Sequence, residues 1–267
     1  LIILFSTHFC EKGSNMAVPD DNTAAAPLTK LLEMGEPDAA PGMHWPDYRS
    51  LVGLTRDHIP ALIRLATDLS LIHPDDDLDP RGWGPVHAWR ALGQLKASEA
   101  ILPLLDLFHQ APDNDWIIEE MPDVFGLIGG AALPALAAYL RDASHPAYAR
   151  LVAATCLMEI GRAYPEARAV SIAALAAQLT QYETNSPGMN AVLVAHLVAL
   201  DAAEQAGLIH QVFLACRVDR FIAGDWRDIR QRLGERLGSC PVVGNDKDNP
   251  VRQPGLQRAG YLFGQLK

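Results

Sequence analysis

The side chains able to do chemistry in this chain are spread thinly, and their spacing matters more than their number. Trp116, Glu119 and Glu120 share one helical turn, with Asp115 beside them. Neighbouring carboxylates raise one another's pKa and serve proton transfer when a nucleophile or metal ligand stands near. None is visible in the surrounding sequence, so two readings stay open. The acids cap and solvate the start of a helix, whose dipole favours negative charge there, or they form an acidic patch for a partner. Asp75, Asp77 and Asp79 match the opening of a calcium loop, but its sixth and twelfth positions hold Pro80 and Val86 instead of Gly and Glu. A solvated acidic loop is expected there, and the same for Asp246 and Asp248. No phosphate-cradling glycine loop and no Gly-x-Ser-x-Gly elbow occurs.

Other polar and aromatic residues punctuate apolar segments. His87 and Trp89 follow Trp83-Gly-Pro85; the tryptophans read as core or loop anchors, or as a hot spot for a partner. His196, between Ala195 and Leu197, reads as a satisfied interior histidine. Asp225 is expected to cap a final helix. The candidate binding residues are therefore His87, Trp116, Glu119, Glu120 and Asp225; no catalytic or metal-binding set is expected, and no cofactor.

The elements that must position these residues are helices. Ile59, Leu62, Ile63 and Ala66 stand at i, i+3, i+4 and i+7. The spacing recurs at Ala88, Ala91, Leu92 and Leu95, at Ile101, Leu104, Leu105 and Phe108, and at Leu133, Leu136, Ala137 and Leu140. It continues at Ala153, Cys156, Leu157 and Ile160, and at Ile172, Leu175, Ala176 and Leu179. Each set makes one apolar stripe, and no alternating β-branched run competes. The stripes fall in pairs joined at Leu95 to Ser98, at Gly129-Gly130, near Pro165 and at Asp201. Comparable apolar positions, Leu95, Ile128, Ile160 and Leu200, lie 33, 32 and 40 residues apart. Two helices in a period of roughly 30–47 residues mark an α-solenoid. An all-α superhelix of helix pairs is thus expected over 27–237. Pro27 to Met34, Pro46 to Leu51 and a helix capped by Asp57 would close its start, and a helix within 219–237 its end.

Composition narrows the function classes. The formal charge of −10 opposes a nucleic-acid backbone as the main partner, because that requires a basic face. Arg227, Arg230, Arg232 and Arg236 read as the solvated side of the last helix. No apolar run approaches the roughly 18 residues that span a bilayer. Cys10, Cys156, Cys216 and Cys240 form no Cys-x-x-Cys pair, and Cys156 and Cys216 are expected to be small buried hydrophobes. A reducing cytoplasm is expected. Residues 1–26 read as a disordered leader or expression remnant, with Met16 resembling a natural start. Residues 238–267 read as a flexible tail.

The segments Ala91-Leu-Gly-Gln-Leu95 with Ala100-Ile-Leu-Pro-Leu-Leu105, and Phe125-Gly-Leu-Ile-Gly129 with Ala132-Leu-Pro-Ala-Leu136, resemble HEAT repeats of the phycobilisome-lyase type. More broadly, His58-Ile-Pro, Val86-His-Ala-Trp89, Trp116 to Pro122 and Ile222 to Trp226 resemble an uncharacterised bacterial HEAT-like family. Some relatives end in a Cys-rich zinc motif, of which only Cys240 is present. Di-iron HEAT hydroxylases use His-Glu dipeptides, and none of the nine histidines is followed by Glu. The long surface of a solenoid and the net negative charge point to a non-catalytic scaffold that binds a protein or peptide with a neutral or basic surface. The alternative that the resemblance implies is a bilin lyase or isomerase, or its subunit. A HEAT-like DNA glycosylase is opposed by the charge.

Overall fold

A computed structural model of the chain describes residues 21–37, 45–73, 79–112 and 114–234. Among the described residues every regular element is helical and no strand occurs. In chain order the helices are α1 (Asp21–Glu33), α2 (Tyr48–Val52), α3 (Ile59–Ala66), α4 (Leu69–Ile72), α5 (Gly84–Gln94), α6 (Ile101–Gln110) and α7 (Asp115–Ile128). They continue as α8 (Leu133–Arg141), α9 (Ala147–Ala163), α10 (Pro165–Leu179), α11 (Pro187–Ala199), α12 (Ala206–Leu214), α13 (Arg220–Ala223) and α14 (Trp226–Arg232). Expectations about the leader before residue 21, about Asp75 and Asp77, and about the tail with Cys240, Asp246, Asp248 and Arg236 lie outside the described residues.

The apolar stripes become the contact surfaces. Of the six stripes, only Ile63 and Ala137 stay half-exposed; every other member is buried. Helix α3 packs on α5, α5 on α7, α7 on α9, α9 on α11 and α11 on α13. A second succession runs α6 on α8 and α8 on α10, and both α8 and α10 also pack on α9. One hydrophobic cluster therefore extends from Leu31 to Leu233 without a break. Each buried Leu, Ile or Phe contributes about 1.5–3 kcal/mol relative to exposure. That gain comes from packing one helix on another.

The turns repeat as well. After α5, α11 and α12 the chain passes through Lys96 (φ 51°), Asp201 (φ 50°) and Cys216 (φ 54°). In each case two backbone amides close the helix end in a Schellman pattern. Lys96 N donates to Gly93 O at 2.9 Å and Ala97 N to Leu92 O at 3.1 Å. Asp201 and Ala202 repeat this on Val198 O and Leu197 O, and Cys216 and Arg217 on Phe213 O and Val212 O. A side chain from an earlier pair covers two of these ends. Arg56 donates to Leu95 O at 3.1 Å and pairs with Glu99 at 2.9 Å. Arg168 donates to Leu200 O and Asp201 O, both at 2.9 Å, and lies 4.0 Å from Glu204. One clamp is thus assembled twice, on turns of the same design. At Gly129 (φ 83°) the backbone does what only glycine does cheaply, and α7 meets the following helix at 110°.

Several local expectations are corrected. Thr55, not Asp57, starts the segment before α3: its amide donates to His58 Nδ1 at 3.0 Å in a capping box. The first helix begins at Asp21 rather than Pro27. The expected terminal helix is two short ones, broken at Gly224 (φ 81°). Cys156 is buried as expected, and burial pushes its thiol well up. Cys216 is exposed, because its left-handed backbone turns it away from the apolar face of α12.

Close approach of α9, α10 and α11 depends on Gly161. A Cβ there would lie 2.8 Å from Ser171 Cβ and 3.1 Å from a Leu200 methyl. Gly161→Ala gains helix propensity but forces these helices apart, and should lower unfolding stability by about 1–3 kcal/mol in urea titration.

Candidate functional site

The structure moves two of the sequence candidates inside. His87 is 2% exposed and Glu120 0%. Both belong to one buried polar network built on α5 and α7. Arg90, one turn after His87 on the same helix, is also fully buried. Its Nε donates to Glu120 Oε2 at 2.9 Å and its Nη2 to Glu120 Oε1 at 2.6 Å, the two-pronged geometry that suits guanidinium and carboxylate. The guanidinium also lies 5.0 Å above the ring of Trp45. Glu120 is therefore not part of a solvated acidic patch.

Hydrogen-bond directions in this network follow from chemistry. Gly35 O can only accept, so His87 donates to it through Nε2–H at 2.8 Å. His87 Nδ1 must then accept, and the Tyr48 hydroxyl donates to it at 2.8 Å. The Arg90 guanidinium acts on the Tyr48 hydroxyl electrostatically. Burial holds the imidazole pKa below its usual value and the Tyr48 phenol above its own, so both stay neutral. The run Arg90, Tyr48, His87, Gly35 ties the segment after α1, helix α2 and helix α5 to α7. Its shape is that of a fastening: Tyr48, His87 and Arg90 are buried, and Gly35 is half-buried.

The other candidates stay nearer the surface but do not converge. Trp116 packs edge-on against Trp83 with ring centroids 5.1 Å apart, and both are partly buried against the core. Glu119 is exposed on the first turns of α7. Asp225 sits at the N-cap of α14 as expected, but its side chain makes no capping bond; it faces Arg220 at 3.4 Å. The start of α14 is held instead by Trp226, which stacks on His210 with centroids 4.6 Å apart. Arg227 and Arg232 are exposed as expected, while Arg230 is half-buried.

His196 is buried and bonded. Thr155 Oγ1 donates to Leu151 O at 3.0 Å, so its lone pair accepts from His196 Nε2–H at 3.1 Å. Burial lowers the imidazole pKa to about 4.

Sequence reasoning passed over Arg90, Tyr48 and a second cluster around Tyr139. There His145 stacks on Tyr139 with centroids 3.9 Å apart and planes 6° from parallel, and His109 Nδ1 lies 3.1 Å from the Tyr139 hydroxyl. One signal was present. Arg90–Glu120 and His109–Tyr139 are each separated by 30 residues, close to the spacing of Leu95, Ile128 and Ile160 in the sequence. A charged residue inside an apolar stripe needs a buried partner, and the next unit is where to look for it. Among the described residues no three His, Cys, Asp or Glu side chains gather to hold a metal ion, and no single helix is long and apolar enough to cross a membrane. No protein-family model, no curated protein and no solved structure matches the chain.

Two measurements check this arrangement. Glu120→Ala leaves Arg90 buried without its counter-charge and should cost about 3–5 kcal/mol in urea unfolding, whereas Arg90→Met with Glu120→Leu should recover most of that loss. For His196, the folded pKa lies below the unfolded one near 6.5, so its contribution is complete above that pH. It is lost as pH falls toward 4, by up to about 3 kcal/mol. His87 acts in the same direction. His196→Leu should flatten the decline between pH 6.5 and 4 when unfolding midpoints are compared.

Proposed function

We propose that the chain is a HEAT-like α-solenoid acting as a non-catalytic scaffold that binds a protein or peptide with a neutral or basic surface in the cytoplasm. The observation that carries the repeat reading is contact at unit spacing. Helices pack in succession from α3 to α13, polar pairs recur 30 residues apart, and the arginine clamp occurs on both Leu95 and Leu200. Stacked units leave their outward side chains free to vary without disturbing the shared core, and the long surface that results is suited to binding. The functional half of the reading rests on charge. A net −10 speeds encounter with basic surfaces and repels acidic ones. The polar groups that look most like catalytic machinery in sequence, His87 and Glu120, are consumed in fastening helices together. Of the five candidate contacts, Trp116, Glu119 and Asp225 remain at or near the surface.

The test is capture of partners by the immobilised full chain from the cell that makes it, eluted with increasing salt. A scaffold of this kind should retain a specific partner that leaves as salt rises, since exposed charges are screened. Failure to retain anything above a denatured control would overturn the reading. Glu119→Lys should keep the helical circular dichroism and weaken that capture severalfold. Unchanged capture removes the first turns of α7 from the contact surface.

A further inference from the structure

The depression beside Tyr139 has the build of a subsite. Its floor is apolar: Leu102 and Leu105 from α6, Ala135 and Ala138 from α8. Leu102 is 66% exposed, an unusual cost for a leucine in the middle of the chain. One wall is aromatic and rigid. Its outer ring is His145, half-buried, which lies parallel on the buried ring of Tyr139; Phe108 holds Tyr139 edge-on at 5.6 Å and His109 bonds it. The rim carries two carboxylates, Asp106 and Asp142. One oxygen of Asp142 accepts from the Ser144 amide and hydroxyl, at 2.9 and 2.7 Å; the other faces His145 at 3.8 Å. Hydrogen bonds from Ser144 hold its pKa below the usual carboxylate value. Burial, with Tyr148, Asp106 and Asp142 acting in the same direction, pushes the Tyr139 phenol up, so it stays neutral.

The cations that bear on this rim are few. Arg150 acts on Asp142, yet its Nε is committed to Leu140 O at 2.7 Å. Asp106 is exposed and has no ion-pair partner among the described residues. An apolar floor, a fixed aromatic wall and an excess of negative charge at the rim specify a side chain with an apolar stem and a flat cationic head. Arginine has that form: its stem covers apolar surface and its guanidinium stacks on rings while bonding carboxylates. Lysine, a compact and strongly hydrated charge, gains less from the wall.

We propose that this depression, formed by α6, α8 and the turn carrying Asp142 and His145, is the subsite that receives an arginine side chain of a basic protein partner. The proposal rests on the scaffold reading and gives its partner a point of contact. The wall is already in place, so little ordering is lost on binding.

The probe is N-acetyl-arginine amide titrated into the full chain, with N-acetyl-citrulline amide as the neutral analogue of the same shape. Amide and imidazole resonances are followed by NMR. Saturable shifts should gather on Asp106, Tyr139, Asp142 and His145, and the citrulline compound should bind about tenfold more weakly, the worth of one charge-assisted contact. Asp106→Asn with Asp142→Asn keeps the oxygen that Ser144 bonds, should leave the circular dichroism unchanged, and should weaken arginine binding by at least that factor. Shifts spread over all acidic surfaces, equal binding of citrulline, or undiminished binding by the double variant would each overturn the subsite. The same double variant, carried through the capture experiment, separates the two claims. If the double variant loses probe binding yet captures the partner in full, the depression is not the partner's point of contact and the scaffold stands; if the unaltered chain binds the probe but captures no partner, the arginine site stands and the scaffold reading falls.

Discussion

A helix with an apolar stripe cannot hide it by itself, and this constraint governs the described residues. Burying one stripe requires a neighbouring helix, and the helices pack in succession from α3 to α13. The continuous cluster from Leu31 to Leu233 is the outcome. Small residues set how closely the pairs approach. Gly93 lets the backbone of Val124 in α7 come near α5, and Gly161 lets Ser171 and the end of α11 close on α9. The alanines that crowd the sequence serve the same end.

Polar groups have been fitted into this apolar succession with little slack. Arg90 and Glu120 sit where α5 meets α7, both without exposure. Such a pair adds little net stability over a hydrophobic replacement, since desolvating two charges offsets their attraction. It does penalise any register that separates them, because an unpaired buried charge is costly. Tyr48 and His87 extend the same demand to the segment after α1. At the other end, Asn185, Asn190 and Gln178 do similar work. Asn190 Nδ2 donates to Tyr182 O at 2.9 Å and to Arg217 O at 2.7 Å, joining the loop after α10 to the end of α12. Arg217 returns the contact by donating to Glu183 O and Asn185 O. Both ends of the described chain are fastened by neutral or paired groups.

This division explains why residues that look reactive in sequence are poor guides to function here. Histidine, tyrosine and glutamate in one neighbourhood suggest proton transfer, but His87 donates to a carbonyl and accepts from a phenol, with no water between. The surface cluster around Tyr139 differs in kind. Its ring is anchored from behind by Phe108 and His109, while Asp106, Asp142 and Leu102 face outward. A preorganised wall beside exposed charge is what the proposed arginine subsite uses.

The amino-acid sequence by itself determined the helices and most of the core. A period of 3.6 residues is a local property, and the stripe from Ile101 to Phe108 needs no partner to be recognised. Glycine and proline likewise punctuate the chain wherever it turns, as at Gly129 and Pro165. Only the tertiary structure decided which polar residues meet. Glu119 and Glu120 are neighbours in the chain, yet one faces water and the other Arg90, since adjacent helix positions point about 100° apart. Cys216 escaped the apolar face because a left-handed turn, invisible in a run of ordinary residues, ended α12 one step early. The pairing of Tyr139 with His109 and His145 required α6, α8 and the turn after α8 to be placed in space. Periodicity specifies which face of a helix is apolar; which neighbour covers that face, and what polar groups are carried with it, is settled only when the helices pack.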